Sequence, residues 1–272
     1  MTPAPHETGA LEFFAYLSTA QVALAALVLT IVRVFALQRY KAAVEAHKAV
    51  EDAGSFWAFI AEICESFLVA GVLVFFIIRP FFIQAFYIPT ESMENTLMGH
   101  DTFDPTTGQT YAHAVHDRIF VNKLIYRFTN PKRGDVIVFR APKAADSDDI
   151  ALGKPLKENI LIKRVIGIPG DTIQIKQVGP YDYVFRNGVQ LNEYHNPKLP
   201  YSIKDPMDPS LNPNFKYGFK SPVHLGPGQY WVMGDNRNYS FDSRYWGVVT
   251  RNRIIGKAFF IFWPLNRIGF IH

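Results

Sequence analysis

Cysteine is almost absent: the chain has one, Cys64, inside an apolar run. A single thiol excludes a disulfide within one chain and any cysteine-based metal site. Lysine and arginine are missing from the first twelve residues, which carry Glu7 and Glu12. That start lacks the basic opening of a cleavable signal peptide, so an uncleaved segment is expected. Charge of one sign is scarce too. Twenty-eight basic residues against 24 acidic leave a net +4, and the two kinds are interleaved. No nucleic-acid stripe results, and the small excess suits anionic lipid headgroups better. There is no strand–helix alternation and no internal repeat, which excludes a parallel α/β fold and a solenoid.

What the chain does have is two long apolar runs before about residue 88. A bilayer's hydrocarbon core needs roughly 20 helical residues. The first run, 13–37, is long enough, and 58–80 forms the second span, its charges Glu62, Glu65 and Arg79 kept towards the interfaces. Between them lies a segment, 38–57, with helical spacing that carries Arg39, Lys41 and Lys48, with Arg33 snorkelling towards it. Short loops rich in lysine and arginine stay in the cytoplasm. The tail 1–12 and everything from 81 to 272 are then expected on the opposite side of the membrane.

From about residue 87 the pattern changes to short apolar runs broken by turn residues. Residues 118–124, 135–139, 160–166, 172–176, 183–186, 229–233 and 254–262 read as strands. Pro169-Gly170-Asp171, Asn187-Gly188 and Pro227-Gly228 supply turns between them. The expected fold is mainly β, an antiparallel sandwich or barrel behind two transmembrane helices. Three stretches, 99–117, 141–159 and 196–228, read as surface loops, the last with seven prolines.

Three segments fit neither strand nor loop. Tyr87-Ile88-Pro89-Thr90-Glu91-Ser92-Met93 follows the second span directly. Ile160–Ile166 places Lys163 and Arg164 side by side in an apolar strand, where alternation buries one of them. The run from Gly234 to Gly247 is dense in groups that hydrogen-bond one another: Asp235, Arg237, Ser240, Asp242 and Arg244. Singly, each has an ordinary reading: a turn serine, a snorkelling lysine, a capped turn with an Asp–Arg pair.

Together, and with Lys132–Phe139, the three segments resemble bacterial type I signal peptidase in content and order, from about Phe76 onward. The resemblance implies a protease with Ser92 as nucleophile and Lys163 as its general base. It further implies that the Thr90 hydroxyl helps to hold the oxyanion and that Ser240 orients the lysine. Asp242 and Arg244 match a structural ion pair, with Asp235 and Arg237 in the same support. Asn95 stands where the family usually has proline, and Glu91 where it has a smaller residue.

These residue types suit the chemistry. Serine needs a base that is neutral near working pH. Arg164 cannot serve, because guanidinium stays protonated. Lys163 can, if an apolar wall that includes Leu161 and Val165 lowers its pKa. The candidate histidines His100, His113, His116, His195 and His224 lie in presumed loops outside the motifs. His113-x-x-His116 lacks a carboxylate-rich partner pattern for a metal, and no cofactor is expected. The implied partners are the signal peptides of preproteins, in extended form with small residues at the first and third positions before the cut. The lipid bilayer and a place near the export machinery complete the picture, in the bacterial cytoplasmic membrane with the catalytic domain outside. Two other function classes stay open to the sequence. One is a serine–lysine protease acting on another membrane-tethered substrate, the other a non-catalytic, membrane-anchored β binding domain.

Overall fold

The computed structural model describes residues 19–45, 53–78, 82–103, 108, 110–143, 145, 159–194, 196, 199, 201, 203, 205–211 and 215–272. The chain divides into two compact units, Met1–Phe82 and Ile83–His272. The tail 1–12, the start of the first expected span and most of loop 141–159 lie outside the described residues.

In the first unit two helices, Thr19–Glu45 and Ala53–Val72, pack on each other, and Leu73–Ile78 continues the second as a π-helix. Ala20–Glu45 and Phe56–Phe75 are each long and apolar enough to cross a membrane. Both helices run into the segment that the sequence assigns to the connecting loop, 38–57. Its alanine-rich helical spacing is continuous with the first span, so nothing breaks that helix at Leu37. Arg33 Nη2 donates to Glu65 Oε2 at 2.7 Å, pairing a charge on each helix. The Phe35 and Trp57 rings meet edge to face at 5.7 Å.

The second unit is antiparallel β throughout its described sheets. Its strands are β1 (Ile83–Tyr87), β2 (Gly99–His100), β3 (Val115–His116), β4 (Arg118–Asn122), β5 (Val136–Arg140), β6 (Ile160–Gly167) and β7 (Thr172–Val178). There follow β8 (Tyr181–Arg186), β9 (Val189–Gln190), β10 (Val223–His224), β11 (Gln229–Met233), β12 (Val249–Thr250), β13 (Ile254–Trp263) and β14 (Gly269–Phe270). The main sheet runs β1-β4-β13-β5-β6-β11-β12, with β14 added to β13. A second sheet runs β10-β7-β8-β9, and β2 with β3 makes a small hairpin. The Asn187-Gly188 pair turns β8 into β9 with both residues at positive φ, 53° and 80°, the backbone that a tight hairpin requires.

Every expected strand is present. Of the strands that pattern reading passes over the longest is β1, whose Phe86 and Tyr87 look like an aromatic belt next to a membrane span; the two-residue β2, β3 and β10 fall in stretches expected as loops. β1 pairs with β4 from Ile83 to Tyr87. Three apolar clusters hold the unit together. Ile88, Met93, Leu97, Ile119, Val121, Val136, Val138 and Ala258 form one. Tyr126, Ile137, Phe139, Val165, Tyr230, Val232 and Trp246 form a second. The third, around Ile173, Ile175, Trp231 and Met233, joins the two larger sheets. Burying each such side chain contributes about 1.5–3 kcal/mol.

Candidate active site

Ser92 sits in a single 3-10 turn, Glu91–Met93, just after β1. The turn is fixed from below: Ile88, Met93 and Leu97 on either side of the serine are buried in the first cluster. Glu94 N–H donates to the Glu91 carbonyl and Leu97 N–H to the Met93 carbonyl. From above, Asn236 N–H donates to the Ser92 carbonyl at 3.3 Å. Gly234 packs so closely that a Cβ there would lie 2.2 Å from the Ser92 carbonyl oxygen and 2.3 Å from Ser240 Oγ. Only glycine fits, which explains the first letter of the Gly-Asp-Asn-Arg run. Ser92 itself is 8% exposed.

Lys163 enters from β6 with its side chain 4% exposed. Its Nζ lies 2.7 Å from Ser92 Oγ and donates to the Ile162 carbonyl at 2.9 Å. Burial lowers the pKa of the amine to about 8, with Arg244 adding to the effect while Asp242 and Asp235 oppose it. Among the described residues β6 takes β5 along one edge from Ile160 to Arg164. On its other edge β11 pairs with Arg164, Val165 and Gly167, and among the described residues no strand pairs with that edge at Ile160–Lys163.

Arg164 departs from the alternation rule: it is as buried as its neighbour, at 0% exposure. Its guanidinium grips Asp235 through Nε and Nη2 at 2.8 and 2.6 Å. Nη1 donates to the carbonyls of Gly134 and His272, and Nη2 to Thr96 Oγ1. The Tyr201 ring covers it at 3.8 Å. A buried cation tolerates this only with its donors filled, and they are. Asp235 therefore pairs with Arg164. Arg237 turns instead to Glu193, at 2.6 Å, in a loop that carries no motif. Asp242 and Arg244 form their own pair at 2.8 Å, both at 0% exposure, with Asp242 also accepting from Gly234 N–H. Burial alone would raise the Asp242 carboxyl, but Arg244 outweighs it and holds the pKa below the usual range.

Thr90 is exposed, with its Oγ1 3.3 Å from Ser92 Oγ. Ser240 is buried; its Oγ makes no hydrogen bond to Lys163 among the described residues, and its hydroxyl helps to hold the Asp242 carboxyl below the usual range. The two motif strands are tied by a residue outside the candidate set: Asp171 takes Arg133 Nε and Nη2 at 3.0 and 2.6 Å. The described His100 bonds Glu94, two residues after Ser92. His116 meets Ile88 and Asp101, and His224 meets Thr172. His195 lies outside the described residues. Among the described residues no group of three His, Cys, Asp or Glu is placed to hold a metal ion.

A buried amine against a turn serine, in a mainly antiparallel unit behind two apolar helices, invites comparison with known peptidases. The family model described as "Signal peptidase, peptidase S26" matches residues 60–263. The chain belongs to that family. A probable signal peptidase I-2 of Synechocystis is 34% identical over 75% of this chain and 74% of its own length. The signal peptidase I of Leptolyngbya laminosa is 37% identical over 71% of this chain and 74% of its own. Signal peptidase I of Mycobacterium tuberculosis is 36% identical over 75% and 72%. A crystal structure of a signal peptidase I from Enterococcus faecalis is 27% identical, covers 47% of this chain and 97% of that one, and has a TM-score of 0.31. Membership of the signal peptidase family makes this a serine endopeptidase whose substrates are preproteins bearing signal peptides.

Proposed function

We propose that Ser92 and Lys163 are the catalytic dyad and that the enzyme cuts signal peptides at the outer face of the cytoplasmic membrane. The observation that carries this is the 2.7 Å separation of Nζ and Oγ, with both groups buried and the amine's pKa lowered to about 8. The neutral amine takes the hydroxyl proton as Oγ attacks the scissile carbonyl carbon. The resulting ammonium gives that proton to the departing amine as the C–N bond breaks, leaving an ester on Ser92. Lys163 then deprotonates a water, which attacks the ester, and the proton returns to Oγ as the acid product leaves. The Thr90 hydroxyl and the Ser92 N–H are the donors assigned to the oxyanion, each worth about 2.7–4 kcal/mol in such sites. Ser240 is assigned to orient the amine; its hydroxyl lies against the same glycine as the Ser92 carbonyl. Asp235, Arg237, Asp242 and Arg244 hold the frame.

The edge at Ile160–Lys163, open among the described residues, supports an extended substrate, which adds as a strand and brings its scissile bond to Oγ. Small side chains before the cut are assigned by family resemblance. Anchoring rests on the length and apolar composition of the two helices, and an outward active site on Arg39, Lys41 and Lys48 in the stretch 38–57. Cleavage of a preprotein in detergent by wild type, Ser92→Ala, Lys163→Ala and the double variant tests the dyad. Each single variant should stay folded and lose about 10³-fold or more in kcat, and the double should be little worse. A folded single variant above about a tenth of wild-type activity would overturn the assignment.

A further inference from the structure

The stretch 99–117 is absorbed by none of the roles above, yet it is built onto the nucleophile turn. It opens with Gly99, where a Cβ would lie 2.3 Å from the Thr90 carbonyl oxygen, so the hairpin abuts the backbone two residues before Ser92. Gly99 and His100 pair with His116 and Val115. His100, 8% exposed, points its Nδ1 at Glu94 Oε1, 2.5 Å away, and Glu94 is 2% exposed. A carboxylate accepts only, so the imidazole donates. The His100 ring lies flat on Tyr111, centroids 3.8 Å apart and planes 14° apart. Tyr111 in turn donates its hydroxyl to Glu91 Oε2 at 3.3 Å. At the hairpin's other end His116 stacks on Tyr87 and donates to the Ile88 carbonyl at 3.0 Å. Residues 87, 88, 91 and 94 are thus all held by one hairpin, and Ser92 lies among them.

A glutamate buried next to Met93 is costly unless its carboxylate is bonded, by several kcal/mol on general grounds. Nothing in the dyad chemistry uses it. We propose that the hairpin Gly99–His116 is a brace for the nucleophile turn, with Glu94, His100 and Tyr111 as positioning residues that set the attack geometry of Ser92. The two glutamates flank the serine, and each is tied to the same stacked ring pair. A shift of the hairpin therefore moves Oγ relative to Nζ. Displacements of about 1 Å at a reacting atom cost up to about 10²-fold in rate. The proposal rests on the reading of Ser92 as nucleophile.

Preprotein cleavage by the full-length enzyme in detergent tests it, with kcat and KM resolved separately and folding followed by circular dichroism. His100→Ala should lower kcat about tenfold or more with KM little changed. Glu94→Gln should retain most of the activity, because the amide oxygen still accepts from Nδ1–H. Tyr111→Phe keeps the stack and loses one hydrogen bond, so kcat should fall about two- to tenfold. Wild-type kcat in folded His100→Ala, a loss confined to KM, or a Glu94→Gln loss as large as that of His100→Ala would overturn the brace. If His100→Ala does not fold, Tyr111→Phe decides: reduced kcat supports the brace and unchanged kcat overturns it. A Ser92→Ala enzyme that still cleaves would remove the nucleophile reading itself, a result distinct from all of these.

Discussion

An amine can accept a proton only in the fraction of molecules where it is neutral, so the dyad's rate follows the titration of one side chain. With Lys163 near 8 instead of the ordinary 10.5, about a tenth of the enzyme carries a neutral base at pH 7. The neutral fraction grows as pH rises. kcat/KM should therefore increase about tenfold per pH unit below 8, bend near 8 and level off above it. Rates that fall across that interval, in an enzyme still folded, would contradict Lys163 as base. A second test concerns Thr90, whose hydroxyl stands 3.3 Å from the nucleophile. Thr90→Val should lower kcat by roughly 10²–10³ with KM little changed, and Thr90→Ser should keep most activity. Normal turnover by the valine variant would leave the oxyanion to backbone donors alone.

The elements explain which parts of this site a reader of sequence can find. Period-two alternation and turn residues mark the main strands, because one face of each lies on a core. The same rule misjudges Arg164, since it assumes that a cation on the second face meets water. That face is filled by Asp235, Thr96 and Tyr201, from segments distant in sequence. Glu193 is illegible for the same reason: no local pattern distinguishes it from a loop carboxylate, yet it is the partner of buried Arg237. The proline-rich stretch 196–228 reads as surface, but its Tyr201 and Phe215 rings cover Arg164 and Arg244. Removing one half of a buried pair strands the other. Glu193→Ala should cost about 3–5 kcal/mol in urea unfolding. Burial would raise the Glu193 carboxyl, but Arg237 outweighs it and holds the pKa below the ordinary value. The pair's contribution is thus full above the unfolded-state pKa and is lost as acid protonates the folded carboxylate. In Glu193→Ala that part of the acid sensitivity should vanish.

At the scale of the whole molecule, two helices long and apolar enough to cross a membrane precede a β unit that carries all the proposed chemistry. Orientation is testable apart from catalysis. A reporter active only outside the cytoplasm should work when fused after His272 and fail when fused near Lys48. The reverse pattern would overturn the outward placement of the site. The register of β6 carries a further consequence. Lys163 stands opposite Ile137 and Arg164 opposite Val136. A slip of one residue would send the amine to the Asp235 side and the guanidinium to Ser92. Guanidinium cannot take a proton, so a mis-paired or half-formed sheet is inert rather than indiscriminate. With Ser92 and Lys163 in their proposed roles, the protease gains its base only when β6 takes its place against β5, so the last step of folding is also the step that arms it.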